Sequence, residues 1–132
     1  MIAGLEHIGI AVNKIDEALQ IFENILGLKL MKKAAVEAQK VRIVFLQVGE
    51  TKIELLEPTD KEGTVAKFPK NRGEGIHHIA FNVADIEDML QQLKEKGITL
   101  LDEKPRTGAE GGKIAFLHPK STKNVLIELC ER

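Results

Sequence analysis

The chain has 132 residues, of which 43% are hydrophobic and 30% are charged, and its formal net charge is -1 at pH 7. Such a composition is that of an ordinary folded protein, and the length fits one domain. No basic stripe stands out, which argues against nucleic acid and anionic membrane surfaces as partners.

The first half of the chain begins with an alternating segment at 5–12 that is rich in Ile and Val and predicts a strand. Asn13 can cap a helix that ends at Gly27. The helix is predicted from an apolar stripe at helical spacing, and its members are Ile15, Ala18, Leu19, Phe22, Ile25 and Leu26. Three further strands are predicted, and their approximate ranges are 28–37, 41–48 and 51–57.

The second half repeats this order. A strand at 76–83 precedes a helix near 86–96, for which Gly97 is the stop signal. Its apolar stripe consists of Ile86, Met89, Leu90 and Leu93. Further strands are predicted near 98–103, 113–118 and 124–130. The sequence therefore predicts an α+β protein made of two βαβββ units.

These units are joined by a polar segment at about 58–74 that contains Pro, Gly and Asn. A short helix near 64–68 is compatible with its sequence. We therefore expect a single domain over 1–132, with repeats at about 1–60 and 74–132.

An internal repeat supports this division. HIGIAVNKIDEALQ (7–20) aligns with HIAFNVADIEDMLQ (78–91) at a shift of 71 residues (78 minus 7). IELLE (53–57) aligns with IELCE (127–131) at a shift of 74 (127 minus 53). Two matches in the same order, at nearly the same shift, indicate a tandem duplication with a short insertion in the second unit.

The repeat places four polar residues on equivalent faces. Side chains on a strand alternate between faces, so His7 and Glu54 lie opposite the apolar core positions of their strands. His78 and Glu128 occupy the same places in the second unit. A single such residue is usually an ordinary surface or structural side chain, but recurrence in both units favours a shared site.

If the two units pair about a pseudo-twofold axis, these two imidazoles and two carboxylates converge on one cavity. The resulting donor set, His7, Glu54, His78 and Glu128, suits an octahedral divalent ion with two open positions. The absence of thiolate ligands favours Co, Mn, Ni, Fe or Zn over a structural, cysteine-rich zinc site.

The other candidate residues are assigned simpler roles. Alternation places His77 on the face opposite His78, which indicates a structural or edge role. His118 precedes Pro119 near a strand end, where hydrogen bonding within the loop is expected. Cys130 lies on the Glu128 face by alternation and is interpreted as an ordinary small residue.

The duplicated βαβββ pattern with its paired His and Glu residues resembles the vicinal oxygen chelate superfamily, which includes glyoxalase I, extradiol dioxygenases and fosfomycin resistance proteins. Within that superfamily it is most similar to the methylmalonyl-CoA epimerase family. The similarity covers nearly the whole chain, and its motifs are LEHIGIAV (5–12), TKIELLEPT (51–59), GIHHIAFNV (75–83) and KIAFLHPKSTKNVLIEL (113–129). The last segment is the one that favours epimerases over glyoxalases.

The resemblance implies a glyoxalase-like fold and makes His7, Glu54, His78 and Glu128 the metal ligands. Some epimerases carry Gln at the place of Glu54. The implied reaction is epimerisation of (R)- and (S)-methylmalonyl-CoA by C2 proton transfer through a metal-stabilised thioester enolate. Glu128 and Glu54 are then the candidate acid/base residues on the two sides of C2, and Lys120 is a candidate contact for the coenzyme A phosphates.

Two alternatives remain open at the sequence level. Glyoxalase I (lactoylglutathione lyase) uses the same kind of ligand quartet for enediolate chemistry. A non-catalytic small-molecule binder of the superfamily would need a cavity but no metal, and the four filled ligand positions argue against it.

Location and assembly are predicted only from general features. No apolar run is long enough to span a bilayer, and the N-terminus lacks the pattern of a signal peptide. Cys130 is the only cysteine, which suits a reducing compartment and predicts a cytoplasmic protein. A small fold rich in sheet edges also favours a homodimer.

Overall fold

The computed structural model describes residues 1–60 and 73–132. The chain divides into two compact units, one formed by His7–His77 and the other by Met1–Glu6 together with His78–Arg132. The short helix predicted near 64–68 and most of the predicted linker lie outside the described residues. The expectation that both repeats form one domain stays a prediction.

The first repeat contains four strands and one helical segment. Strand β1 spans Ile2–Ala11, β2 Lys29–Val36, β3 Val41–Val48 and β4 Thr51–Pro58. An α-helix, α1, covers Ile15–Leu19 and continues as a π-helix over Gln20–Ile25, and a 3-10 turn lies at Glu37–Gln39. The strand order is β2-β3-β4-β1, in which β4 is antiparallel to β3 and parallel to β1.

The second repeat has the same order of elements. Strand β5 spans Gly75–Val83, helix α2 Ile86–Glu95, β6 Arg106–Thr107, β7 Lys113–Leu117 and β8 Ile127–Glu131, with a 3-10 turn at Pro119–Ser121. The strand order is β5-β8-β7-β6, and β8 is parallel to β5 but antiparallel to β7. The predicted α+β arrangement of two βαβββ repeats is confirmed.

Each helix packs on one face of the sheet of its own repeat. In the first repeat the buried cluster is formed by Val12, Ile15, Ala18, Leu19, Val44, Leu46 and Leu55. In the second it is formed by Val83, Ile86, Met89, Leu90, Ala115, Leu117 and Leu129. Because alternate strand residues point the same way, these clusters leave the opposite sheet face to the repeated His and Glu side chains.

The first helical segment differs from its prediction. Ile25 and Leu26, the last two members of the predicted stripe, are 75% and 59% exposed. The Leu26 amide donates to the Ile21 carbonyl five residues back. This wider π-helical turn rotates the final residues away from the core, so a stripe drawn at α-helical spacing is wrong there.

The helix caps also differ. Asn13 is not the cap of α1, because Lys14 occupies that position without a side-chain cap, and the Asn13 amide donates to Glu74. In the second repeat Asp85 does cap α2, accepting a hydrogen bond from the Asp88 amide at 3.1 Å.

The strand predicted near 98–103 is wrong. Leu100 forms only an isolated bridge to Leu117, and the amides of Leu101 and Asp102 both donate to the Phe116 carbonyl. The Asp102 carboxylate accepts a hydrogen bond from the Phe116 amide. The Phe116 backbone groups that a longer strand pairing would need are therefore already engaged. The edge strand instead forms at Arg106–Thr107.

The last strand begins later than the predicted 124. Lys123 and Asn124 have φ values of 59° and 68°, left-handed conformations that do not belong to a strand. Within the residues that the structure describes, no helix combines the length and the apolar character needed to span a membrane.

Candidate metal centre

His7 and Glu54 form a buried pair in the His7–His77 unit. The His7 Nε2 atom lies 3.3 Å from the Glu54 Oε1 atom, and the residues are only 3% and 6% exposed. They lie on adjacent parallel strands, where Gly9 is the register partner of Glu54. Gly9 therefore places no side chain beside the carboxylate on that face.

His78 and Glu128 form the equivalent pair in the other unit. The His78 Nε2 atom lies 3.0 Å from the Glu128 Oε1 atom, and the residues are 3% and 5% exposed. The small side chain of Ala80 is the register partner of Glu128. The duplicated sequence has therefore produced the same local arrangement twice.

A phenylalanine lies against each pair. The Phe45 ring meets the His7 ring edge to face at a centroid distance of 5.9 Å, and the Phe116 ring meets His78 in the same way at 5.6 Å. Phe45 is the cross-strand partner of Glu54, and Phe116 is that of Glu128. These rings limit the orientations of the imidazoles and shield the carboxylates from water.

The donor atoms of each pair suit a divalent metal ion. Two ligand atoms that bind one ion at about 2.1 Å in neighbouring positions lie about 3 Å apart, which matches the two measured separations. Imidazole and carboxylate without thiolate also suit Co, Mn, Ni, Fe or Zn. The alternative is two ordinary buried imidazole–carboxylate hydrogen bonds, and metal analysis distinguishes the two interpretations.

Lys120 belongs to neither pair. It is exposed in the 3-10 turn Pro119–Ser121, and its backbone amide donates to His118 Nδ1 at 3.0 Å. This contact is the loop hydrogen bonding expected for His118. The predicted role of Lys120 in binding coenzyme A stays a prediction.

The remaining predicted residues are both buried. His77 is 5% exposed, and its assigned structural role stays a prediction. The Cys130 thiol donates to the Glu128 Oε2 atom at 3.5 Å, so the two side chains share a face, as alternation predicted. Burial, followed by the nearby Glu128 carboxylate, raises the pKa of the Cys130 thiol far above its usual range.

Sequence reasoning missed the role of the last glutamate in each IELLE/IELCE repeat. Glu57 accepts a hydrogen bond from the Ile15 amide at 2.8 Å, and Glu131 accepts one from the Ile86 amide at 2.7 Å. Each carboxylate therefore satisfies the first amide of the helix in its own repeat. The repeat itself was the available signal, because both glutamates recur at its end.

An ion-pair cluster near the C-terminus was also missed. Glu6 is 7% exposed, and its carboxylate contacts the guanidinium of Arg132. A second carboxylate, that of Glu110, lies 2.7 Å from the same guanidinium. These three residues are far apart in the sequence and follow no periodic pattern, so only the folded chain reveals the cluster.

Comparison with known proteins defines the class to which this chain belongs. Residues 6–116 match the model of the Glyoxalase/Bleomycin resistance protein/Dioxygenase superfamily. The chain belongs to this superfamily, as its resemblance to the vicinal oxygen chelate proteins predicted.

Individual relatives narrow the assignment. A crystal structure of a hypothetical protein from Bacillus halodurans C-125 is 48% identical, with a TM-score of 0.93 over 97% of this chain and 93% of that one. The mitochondrial methylmalonyl-CoA epimerase of Homo sapiens is 38% identical over 95% of this chain and 72% of its own. A methylmalonyl-CoA epimerase solved in complex with methylmalonyl-CoA and NH4+ is 34% identical, with a TM-score of 0.93 over 99% of this chain and 95% of that one.

At this identity and coverage, the chain belongs within the superfamily to the methylmalonyl-CoA epimerase family. The predicted resemblance is thereby confirmed, together with the predicted fold class.

Proposed function

We propose that this protein is a metal-dependent epimerase that interconverts (R)- and (S)-methylmalonyl-CoA by transferring the proton at C2. The observation that carries the proposal is the buried imidazole–carboxylate pair in each repeat, with separations of 3.3 and 3.0 Å. Membership of the epimerase family supports the choice of substrate, as does the relative solved with methylmalonyl-CoA.

His7, Glu54, His78 and Glu128 are the residues that would hold the ion, which would be Co, Mn, Ni, Fe or Zn. All four are buried, and all four belong to the duplicated motifs. A bound divalent ion supplies Lewis-acid stabilisation of the negative charge that develops on the thioester oxygen.

The acid/base work falls to the two glutamates. The hydrogen at C2 lies between a thioester carbonyl and a carboxylate, and the thioester must accept the charge because the carboxylate is a poor electron sink. Inversion at C2 requires removal of a proton from one face and delivery of a proton to the other. Glu128 is the proposed base on one side, and Glu54, or a water molecule that it holds, acts on the other.

The residues around the pairs support this chemistry. Phe45 and Phe116 are 2% and 8% exposed, so they exclude water from one side of each carboxylate. A carboxylate with less water around it is less well solvated, so it is a stronger acceptor for the substrate proton. Lys120, which is exposed, is the proposed contact for a phosphate of coenzyme A.

Two measurements test the proposal. Elemental analysis of the purified protein should find about one divalent ion per chain. Turnover should occur with methylmalonyl-CoA and not with the hemithioacetal of methylglyoxal and glutathione, which is the substrate of the glyoxalase alternative. Turnover of the hemithioacetal alone would replace the epimerase by a glyoxalase, and a metal-free protein that binds without turnover would be the non-catalytic binder.

Assembly and location are proposed from general features of the sequence. A homodimer is expected from the sheet edges of a small fold, and a cytoplasmic location from the single cysteine. Both stay predictions.

A further inference from the structure

We propose that Arg106 binds the carboxylate of the substrate's acyl group and so selects 2-carboxyacyl thioesters over plain acyl thioesters. This inference rests on the proposed function, because it names the residue that recognises the group which distinguishes methylmalonyl-CoA from propionyl-CoA. The observations that place Arg106 are all within the unit that contains His78 and Glu128.

The sheet register first places Arg106 on the face of the His78–Glu128 pair. Arg106 is the cross-strand partner of Ile114, and Phe116, two residues further along β7, is the partner of Glu128. Partners on neighbouring strands, and alternate residues along one strand, point to the same face of a sheet. Arg106 therefore shares its face with Phe116 and Glu128.

An aromatic ring then links the guanidinium to the imidazole. The Arg106 Cζ atom lies 5.5 Å from the centroid of the Phe116 ring, and that ring meets His78 edge to face at 5.6 Å. A guanidinium held over a ring keeps its N–H groups pointing outward in the plane of the fork. The Phe116 ring thus contacts both the Arg106 guanidinium and the His78 imidazole, which is paired with the proposed acid/base residue Glu128.

The other repeat carries a stack of the same three kinds of group, with its cation on β4 rather than on the counterpart of β6. The Lys52 Nζ atom lies 5.6 Å from the centroid of the Phe45 ring, and that ring meets His7 edge to face. A cation, a phenylalanine and an imidazole thus occur in the same order in both repeats. The arginine differs from the lysine in offering a planar fork, which binds a carboxylate through two parallel hydrogen bonds.

Arg106 also has unused hydrogen-bonding capacity. Its Nε atom is buried and has no hydrogen-bond partner within residues 1–60 and 73–132. Asp102 Oδ1 lies 3.5 Å away, at ion-pair distance but without hydrogen-bond geometry. The other Asp102 oxygen, Oδ2, is already engaged by the Phe116 amide at 2.8 Å. The Arg106 side chain as a whole is 37% exposed, so its guanidinium can still offer N–H groups to an incoming oxyanion in a charge-assisted hydrogen bond.

A carboxylate on C2 fits this position better than a coenzyme A phosphate does. C2 must come within reach of Glu128 if that residue moves its proton, and the carboxylate carbon is bonded directly to C2. The phosphates are separated from the thioester by the whole pantetheine arm. The Arg106 guanidinium is separated from His78 only by the Phe116 ring, so it suits the acyl end of the substrate.

The test compares two ligands that differ only in the carboxylate. Binding of methylmalonyl-CoA and of propionyl-CoA to the metal-loaded protein is measured by calorimetry. Arg106→Gln should weaken methylmalonyl-CoA binding by about tenfold to a hundredfold, the usual effect of losing a charge-assisted pair, and should leave propionyl-CoA binding within about twofold. Arg106→Lys keeps the charge without the fork and should show a smaller loss, again confined to methylmalonyl-CoA.

Arg42→Gln is the matched control. Arg42 is a half-exposed arginine that pairs with Glu57 at 3.4 Å and lies in neither stack, so this variant should bind both ligands as the wild type does. If Arg106→Gln weakened the binding of both ligands equally, the assignment would be overturned and Arg106 would be a coenzyme A contact instead. Unchanged binding of both ligands would also overturn the assignment. If Arg106→Gln does not fold, Arg106→Lys decides by the same comparison.

The binding readout separates this inference from the proposed function. A wild-type protein that does not epimerise, but prefers methylmalonyl-CoA in an Arg106-dependent way, would refute the epimerase and retain the carboxylate site. An active epimerase whose preference for methylmalonyl-CoA over propionyl-CoA does not depend on Arg106 would retain the proposed function and refute the carboxylate site.

Discussion

At the scale of single residues, adjacent His77 and His78 have different expected roles. His78 is paired with Glu128 at 3.0 Å and belongs to the proposed ligand set. Alternation puts the equally buried His77 on the other face of β5. Replacement of His7 or His78 by Ala should therefore abolish tight divalent metal binding, whereas His77→Ala should retain it. Elemental analysis after dialysis measures this directly.

His77→Ala is itself the control for this comparison, since it removes an imidazole of equal burial from the same strand. Equal metal loss in all three variants would refute the assignment of faces.

Cys130 gives a second residue-scale prediction, on pH. Burial and the Glu128 carboxylate raise the pKa of the folded thiol, whereas the unfolded thiol has a pKa of about 8.5. The unfolded chain therefore loses this proton first as the pH rises, and the stability provided by the protonated thiol is fully present below about pH 8.5 and declines above it. Between pH 7.5 and 10, the metal-free wild type should lose about 1–2 kcal/mol more free energy of unfolding than Cys130→Ala.

Denaturant titrations of both proteins at the two pH values measure the difference. The same pH dependence in the wild type and in Cys130→Ala would show that the thiol ionises as readily in the folded protein as in the unfolded chain.

The sequence identified the residues of the two pairs because duplication repeats both their identity and their strand position. It could not identify Arg106, whose significance depends on its position over the Phe116 ring. Nor could it identify Arg132 as the partner of Glu6 and Glu110. These contacts are set by tertiary structure and leave no periodic trace in the chain.

At the scale of elements, the helices begin on carboxylates supplied by distant strands. Glu57 of β4 accepts from the first amide of α1, and Glu131 of β8 accepts from the first amide of α2. A negative charge at a helix N-terminus is also favoured by the helix dipole. Glu57→Gln and Glu131→Gln should each lower the free energy of unfolding by about 0.3–1 kcal/mol, because glutamine keeps an accepting oxygen and loses only the charge.

Glu50→Gln is the control, since Glu50 is exposed in the turn between β3 and β4 and should change stability little. Metal content should be unaffected in both cap variants. Loss of metal in either of them, without loss of stability, would mean that the second glutamate of the motif also serves the metal site.

Elements were predicted best where periodicity alone determines them. Strand β3 at Val41–Val48 and helix α2 at Ile86–Glu95 agree with their predicted ranges to within one residue. The errors arose where a local hydrogen bond overrides the pattern. One is the hydrogen bond from the Leu26 amide to the Ile21 carbonyl, five residues back. Another is the hydrogen bond that the Asp102 carboxylate accepts from the Phe116 amide.

At the scale of the whole molecule, folding should not require the metal. Each repeat has its own apolar cluster of helix and strand residues, on the face opposite its His–Glu pair. Chelation should therefore lower the melting temperature, because the folded state loses the linkage to its ligand, while the sheet signal in circular dichroism at room temperature is kept. A disordered spectrum after chelation would show that the ion is structural.

The central claim is that this protein moves the proton at C2 of methylmalonyl-CoA with Glu128 as a base. The most direct test is to incubate (R)- or (S)-methylmalonyl-CoA with the metal-loaded protein in heavy water and to follow deuterium at C2 by mass spectrometry, against a blank without protein. The wild type should introduce deuterium while it interconverts the epimers. Glu128→Gln keeps the shape and an oxygen donor but removes the basic carboxylate, and should lose exchange by about two to four orders of magnitude while retaining part of its metal. Failure of the metal-loaded wild type to exchange the C2 proton above the blank would contradict the account.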